Sequence, residues 1–305
     1  MKTRTLLRLA ALLPIVLTIL AACQKDLDTD ALRDPADVRD SVWTLTLDAT
    51  KAEIGTKALY QNTGDPGSLS AYWRNSEIVT VYKDGSFLGT LSVVPKDGER
   101  PNAATLSGTI TVSGIALGDA LTLMIPRENW DYTGQNGTLD TIQDSFDYAT
   151  ATITVRTVNT ADHTVTAAGA IFRNQQSIYR FGFKSGGNYI DPKDFTVTAS
   201  GGKLVQGLSL ENNVWTPAYG SITVSSASAP ADHLFYVSLR NEQTAEDSYS
   251  FLITGSDHAL YTAVKAIPAD VLDAPGKFIN AREIEVSQPD FSPESGSLGE
   301  NPVIY

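Results

Sequence analysis

Residues 78–91, IVTVYKDGSFLGTL, decide the fold class of this chain. Two runs rich in β-branched and aromatic residues flank Lys83-Asp84-Gly85-Ser86. An Asp-Gly pair between such runs is a strong hairpin signal, because glycine accepts the positive φ that a tight turn requires. We therefore predict two antiparallel strands here and an all-β chain around them.

Strand patterns continue on both sides of this hairpin. Before it, Trp43, Leu45 and Leu47 alternate with polar residues, which is the period of two that a half-buried strand shows. The other segments that predict strands are Leu106–Val112, Leu121–Ile125, Ala151–Val155, Ser177–Phe183, Phe195–Ala199, Lys203–Leu210, Ile222–Ser225, Leu234–Leu239, Tyr249–Ile253, Ala259–Ile267 and Phe278–Val286. Short strands separated by glycine and proline turns favour β-sandwiches over alternating α/β units.

One segment departs from the strand pattern. Leu139, Ile142 and Phe146 recur at the spacing of a helical face, and Thr138 before them is a suitable N-cap. We predict a short helix over Thr138–Tyr148.

The domain organisation follows from a change in composition near residues 160–172. Polar, turn-like residues are followed there by small ones, and a new strand pattern then begins. We predict an N-terminal β-sandwich over 41–168 and a C-terminal β-sandwich over 169–286, each of normal domain size. Residues 287–305, rich in proline, serine and glycine, predict an irregular tail.

The composition and the motifs argue against most classes of catalytic, metal-binding and nucleic-acid-binding function. The 305-residue chain has a net charge of −12, which disfavours a nucleic-acid partner. One cysteine excludes an intramolecular disulfide, and three histidines disfavour a multi-histidine metal site. The Asp-His pairs at 162–163, 232–233 and 257–258 are interpreted as solvated turn residues. The sequence contains no phosphate loop or dinucleotide fingerprint, so we expect no cofactor, no metal and no enzymatic activity.

The N-terminus has the pattern of a signal peptide over residues 1–22. A basic start is followed by an apolar stretch at 9–20 and by Leu-Ala-Ala-Cys at 20–23. This order resembles the bacterial lipobox, which implies cleavage before Cys23, lipidation of that residue and a firm membrane anchor. The alternative is an ordinary signal peptide followed by a chance cysteine.

Residues 23–40 predict an acidic tether after this anchor. Gln24, Lys25, Asp26 and Asp28 resemble the export signal that sends Bacteroidota lipoproteins to the outer face of the outer membrane. That resemblance implies a lipid-anchored protein at the cell surface. The alternative is a solvated tether that carries no export signal.

Four stretches in order resemble the Bacteroidota fimbrillin-like proteins, which are two-domain subunits of cell-surface fimbriae. They are Val42–Asp48 with the following Gly55–Ala58, Tyr72–Tyr82, Tyr132–Leu139 and Ala170–Phe181. The resemblance spans about residues 20–286. It implies two tandem transthyretin-like Greek-key β-sandwiches with a short helix in the first. It also implies other fimbrial subunits as partners and a role in adhesion to an unidentified host or bacterial surface.

The same resemblance implies assembly by strand exchange, in which a protease removes the first strand and a strand of another subunit replaces it. Trp43, Leu45 and Leu47 would then belong to the exchangeable strand. The processing arginine of the family aligns with Lys57, so Lys51 and Lys57 are candidate processing sites for a protease of basic specificity. Lys57 is alternatively an ordinary surface lysine, and an unprocessed chain would suit an anchor at the fimbrial base.

The four tryptophans support a different function. Trp43, Trp73, Trp130 and Trp215 would form a sugar-stacking platform if they were exposed on one face, as in a surface glycan-binding lipoprotein that does not polymerise. Tryptophans of β-sandwiches more often lie in the core. The sequence leaves this alternative open, together with the choice between shaft, tip and anchor.

Overall fold

A computed structural model describes residues 40–51, 59–62, 65–125, 129–211, 214–242, 248–267 and 275–289. Over this part of the chain the structure is almost entirely β, as the sequence predicts. The strands are β1 (Ser41–Lys51), β2 (Leu59–Asn62), β3 (Asp65–Ala71), β4 (Ile78–Lys83), β5 (Ser86–Pro95), β6 (Ala103–Val112), β7 (Ala120–Ile125), β8 (Trp130–Asp131), β9 (Ala149–Asn159), β10 (Thr164–Ala167), β11 (Ala170–Asn174), β12 (Ser177–Ser185), β13 (Asn188–Tyr189), β14 (Pro192–Ala199), β15 (Leu204–Glu211), β16 (Val214–Tyr219), β17 (Ile222–Ser225), β18 (Phe235–Asn241), β19 (Ser248–Gly255), β20 (Leu260–Ala266) and β21 (Phe278–Glu285). The described residues contain no helix that is long and apolar enough to cross a membrane.

Eight of the described strands form one sheet, in the order β10-β1-β11-β9-β7-β4-β5-β6, and β1 also pairs with β6. This additional pairing joins the two ends of the sheet. These eight strands therefore form a closed, barrel-like sheet, whereas the sequence predicts a β-sandwich over 41–168. The sheet closes because β1 has hydrogen-bonding partners along both edges, which leaves neither edge of β1 open. We call this closed sheet the barrel.

The predicted hairpin is confirmed as β4 and β5. Asp84 and Gly85 at its tip have φ values of 50° and 77°. Positive φ at both central residues is the geometry of the tight turn whose twist matches that of the flanking strands. The register pairs Lys83 with Ser86 and Tyr82 with Phe87, with a bulge beside Tyr82.

The strands after residue 176, together with β8, form two further sheets. One sheet has the order β13-β12-β18-β15-β16, with β21 added beside β12 and β8 beside β15, and the other has the order β17-β14-β19-β20. Aromatic rings pack between them: the centroid of Phe181 in β12 lies 5.1 Å from that of Phe251 in β19, and Phe183 lies 5.0 Å from Phe195 in β14. These buried rings form much of the hydrophobic core between the two sheets.

The predicted helical segment is also present. A helical turn, α1 (Leu139–Thr141), continues directly into a π-helical turn over Ile142–Phe146. Thr138 is the N-cap, and its Oγ1 accepts a hydrogen bond from the backbone N–H of Thr141 at 3.3 Å. Ile142 and Phe146 are buried, as their spacing predicts.

The predicted boundary at residue 169 requires correction. β11 pairs with β1 and β9 of the barrel, and its Ala170 and Phe172 belong to the barrel core. The change of sheet therefore falls between Asn174 and Ser177. At the other end, Ser287 exchanges two backbone hydrogen bonds with Thr262, so ordered pairing extends into the predicted tail. Residues 290–305 lie outside the described residues.

The first strand and its slot as the candidate functional site

The inward face of β1 is a continuous buried row. Trp43, Leu45, Leu47 and Ala49 are exposed by 8%, 0%, 4% and 2%, while the residues between them are exposed. The predicted alternation is thus confirmed, and it extends one step further to Lys51. These side chains complete the barrel core, so β1 is a core strand.

Both edges of β1 are hydrogen-bonded. Along one edge, Leu45 pairs in parallel with Val165 of β10, and Ala49 pairs in parallel with Ala170 of β11. Along the other edge lies β6, and the backbone N–H of Lys51 donates to the carbonyl just before it, that of Asn102, at 2.9 Å. We call the groove between β6 and the β10–β11 edge, which β1 fills, the β1 slot.

The inward row ends in a buried ion pair. The side chain of Lys51 is 0% exposed and that of Glu77 is 2% exposed. The Nζ of Lys51 donates to both carboxylate oxygens of Glu77 at 2.9 Å and to the carbonyl of Tyr72 at 2.6 Å. It also lies 4.3 Å above the ring centroid of Trp73. The ammonium group is therefore enclosed by the segment that precedes β4.

Glu77 is a site residue that the strand pattern of β1 does not reveal. It is placed by a turn, in which its backbone N–H donates to the carbonyl of Arg74 and its carboxylate accepts from the N–H of Arg74 at 3.1 Å. The sequence does hold one signal: Lys51 falls on the apolar side of the alternation begun by Trp43. A charged residue at such a position requires a buried partner.

The outward face of β1 is polar. Asp48 accepts a hydrogen bond from Thr105 at 3.3 Å and pairs with the Nζ of Lys96 at 3.0 Å. The hydrogen bond from Lys96, and then its charge, lower the pKa of Asp48 below the ordinary value of 3.8. Thr46 and Ser107 join their hydroxyls at 3.0 Å. These outward contacts help to fix the register of β1 against its neighbour and do not contribute to the hydrophobic core.

The remaining predicted site residues lie outside the described residues. They are Cys23 for lipidation, Gln24, Lys25, Asp26 and Asp28 for export, and Lys57 for processing. Their roles stay predictions. Lys51, the other candidate processing site, is described and buried, so a protease has no access to its side chain while β1 occupies the slot.

The tryptophans do not form an exposed platform. All four lie in the described residues, where Trp43, Trp73 and Trp130 are buried and Trp215 is partly buried. Trp130 and Trp215 stack on one another, with ring centroids 5.4 Å apart. Because a sugar ring needs an open aromatic face, this burial counts against the glycan-binding alternative.

The three histidines occupy turns, as predicted. His163, His233 and His258 have φ values of 50°, 59° and 66°, which place each one in the left-handed region that turn residues adopt. The ring of His233 interacts with Asp191, with Nδ1 2.6 Å from Oδ1, and stacks on Tyr189.

Comparison with solved structures found proteins described as cell adhesion or fimbrial proteins. A candidate cell adhesion protein from Bacteroides fragilis is 10% identical, with a TM-score of 0.43 and coverage of 84% of this chain and 100% of that chain. A C-terminally truncated tip fimbrial protein from Porphyromonas gingivalis is 8% identical, with a TM-score of 0.35 and coverage of 73% and 81%. A fimbrial assembly protein from Parabacteroides distasonis is 10% identical, with a TM-score of 0.35 and coverage of 83% and 100%.

No protein-family model and no curated protein matches the chain. The TM-scores of these three structures lie below 0.5, so no function is transferred from them to this protein.

Proposed function

We propose that this chain is a lipid-anchored subunit or anchor of a cell-surface fimbria, assembled by exchange of β1 for a strand of another subunit. The observation that supports this best is the position of β1, which fills a core groove and is hydrogen-bonded along both edges. A slot of this kind recognises an extended strand through main-chain hydrogen bonds and through pockets for alternate side chains.

The energetics of the slot favour its reoccupation. Removing β1 would expose the apolar groups that pack against Trp43, Leu45 and Leu47, each of which contributes roughly 1.5–3 kcal/mol by burial. It would also leave two strand edges with unpaired N–H and C=O groups, which are templates for a further strand. A donor strand with the same alternation restores both, and so links one subunit to the next.

The N-terminal motif supports the membrane part of the proposal. Cys23 would carry the lipid, residues 24–28 would direct export to the outer face of the outer membrane, and residues 23–40 would serve as the tether. Replacing Cys23 by serine is expected to move the protein from the membrane fraction to the soluble fraction. An unchanged membrane fraction would refute lipid anchoring at this residue.

The burial of Lys51 bears on how the slot would be opened. A protease that acts on the folded protein would have to cut elsewhere, and we propose Lys57 as that site. A chain that is not cut keeps β1 in place. Such a chain suits an anchor, held at the membrane by Cys23 and joined to the fimbria through another part of its surface.

The test uses protein that begins at Gln24, without lipid. We would treat it briefly with a protease specific for lysine and arginine, run the products on an SDS gel without heating, and sequence their N-termini. A Lys57→Gln variant is the matched control. A ladder of products that begin after Lys57, absent from the variant, supports a polymerising subunit. Cleavage there without a ladder refutes polymerisation by this chain alone, and resistance at that site supports an unprocessed anchor.

A further inference from the structure

The end of β1 carries a charge that the rest of its inward row does not predict. The groups that hold the ammonium of Lys51 include Glu77, the carbonyl of Tyr72 and the ring of Trp73. None of them belongs to β1. If β1 leaves, all three remain with the barrel.

A slot filled by a strand without a cation at this position would therefore contain an uncompensated carboxylate. Removing one partner of a buried ion pair is strongly destabilising, because the remaining charge has lost both its water and its counterion. An apolar side chain at position 51 would leave Glu77 in that condition. A lysine at that position restores two hydrogen bonds to Glu77 and one to Tyr72, together with the cation–π contact to Trp73.

We propose that the β1 slot is selective for charge, and that it accepts a strand which places a lysine ammonium against Glu77. The occupant we infer is a strand of a partner subunit with large apolar residues at three alternate positions, a small residue at the fourth and a lysine at the fifth. The identity of this occupant rests on the proposed strand exchange. The requirement for a cation rests on the ion pair of Lys51 and Glu77 alone.

This requirement excludes the tail of the chain itself as the occupant. Residues 287–305 contain no lysine and no arginine, and they contain three prolines, which cannot donate to a ladder. Insertion of this tail into the slot of a second copy would leave the carboxylate of Glu77 without a cation. The partner strand is therefore a segment other than this tail, one that places a lysine at the fifth position.

The first arm of the test is a double-mutant cycle in the protein that begins at Gln24, with Lys51→Met, Glu77→Gln and the double variant. Hydrogen exchange of the amides of β1 reports how often the strand opens. Lys51→Met is expected to raise opening on the order of 100-fold, and adding Glu77→Gln is expected to recover most of that change. Additive effects would overturn the proposal.

A matched control separates buried from exposed charge. Lys96 pairs with Asp48 on the outward face of the same strand and is 49% exposed. Lys96→Met is therefore expected to change opening by no more than about threefold. An effect as large as that of Lys51→Met would show that any lysine near β1 suffices, and would also overturn the proposal.

The second arm uses the unaltered protein, so that it does not depend on the folding of a variant. Labelled peptides with the sequence of residues 41–51, with lysine or methionine at position 51, compete for the slot in mild denaturant, and mass spectrometry counts the bound peptide. The lysine peptide is expected to compete on the order of 100-fold better. Equal competition overturns the charge requirement. If neither peptide enters while the cycle shows coupling, strand exchange fails and the charge requirement stands.

Discussion

The first and last strands of the described chain, β1 and β21, are held in different ways although each pairs in parallel with a neighbour. In β1 every second side chain from Trp43 to Lys51 is buried. In β21 the buried residue is Ile284, and the strand borders a cavity of about 440 Å³ that Tyr179 and Phe251 also line. Parallel pairing thus occurs both in a core strand, β1, which is also paired with β6 along its second edge, and in a lightly buried strand, β21. The two strands differ in the pairing of this second edge and in the row of side chains beneath each strand.

The largest expected effect comes from truncating one residue in each strand. Leu45 is fully buried, so Leu45→Ala is expected to lower the free energy of unfolding by about 2–5 kcal/mol. Ile279 in β21 is partly buried beside the second core, and Ile279→Ala is expected to cost about 1 kcal/mol. Urea unfolding measures both. Equal losses would remove the distinction between the two strands.

Two glycines allow the complementary test, in which a methyl group is added instead of side-chain atoms being removed. A Cβ added to Gly182 in β12 would lie 2.4 Å from the backbone oxygen of Arg282 in β21 and 2.7 Å from Leu234. Gly182→Ala is expected to cost about 1–3 kcal/mol and to increase hydrogen exchange in β21. The control, Gly169→Ala, places its Cβ at an ordinary 3.6 Å from the oxygen of Asp48, and its effect is expected to stay within about 0.5 kcal/mol.

A substitution at the tip of the hairpin measures how much backbone strain in a turn of the barrel costs, compared with the loss of a buried core side chain. Gly85 at the tip of the β4–β5 hairpin has a φ of 77°. Gly85→Ala is expected to cost about 1 kcal/mol, because a side chain is disfavoured in that conformation. Ser86→Ala at the neighbouring exposed position is the control. Thermal unfolding of both variants checks the prediction, and an unchanged melting temperature for Gly85→Ala would contradict it.

The smallest effect is expected on the outward faces, where the two strands are alike. Asp48 in β1 pairs with Lys96 at 3.0 Å, and Glu283 in β21 pairs with Lys184 at 2.8 Å. In each case the hydrogen bond from the lysine, followed by its charge, lowers the pKa of the carboxyl group. A carboxylate with a lowered pKa stabilises the fold above its unfolded pKa, and this contribution is lost as the pH falls through the folded value.

Carboxyl NMR titration tests this similarity. Lys96→Met is expected to raise the pKa of Asp48 toward its ordinary value of 3.8, and Lys184→Met is expected to raise that of Glu283 toward 4.5. An unchanged pKa in either variant would show that the pair does not persist in solution.

The sequence predicts the strands whose residues alternate clearly. The β4–β5 hairpin follows from its Asp-Gly turn, and β1 follows from Trp43, Leu45 and Leu47. β16 is missed, because its Pro217 argues against a strand and its residues are largely exposed. β10 and β11 are misassigned for a related reason: small and polar residues such as Ala167 carry little periodic signal, and pairing with β1 determines their place.

The candidate site is predictable only in part. The apolar row of β1 can be read directly from its period of two. The ion pair of Lys51 and Glu77 cannot, because the turn that starts at Arg74 brings together residues far apart in sequence. Closure of the barrel depends on similar pairing of residues far apart in sequence, between β1 and β6. Local patterns therefore predict which segments are strands, while their neighbours depend on the whole chain.

The pairing of Ala49 with Ala170 also has a kinetic consequence. The chain supplies β1 first, yet one of its edges has no partner until β10 and β11 are in place, more than a hundred residues later. Closing so long a loop costs entropy before any contact compensates for it, so we expect β1 to dock late in folding. Each molecule would then pass through a barrel with an unfilled groove. If strand exchange operates as proposed, such a groove would be open to a foreign strand during folding, before any proteolytic cut.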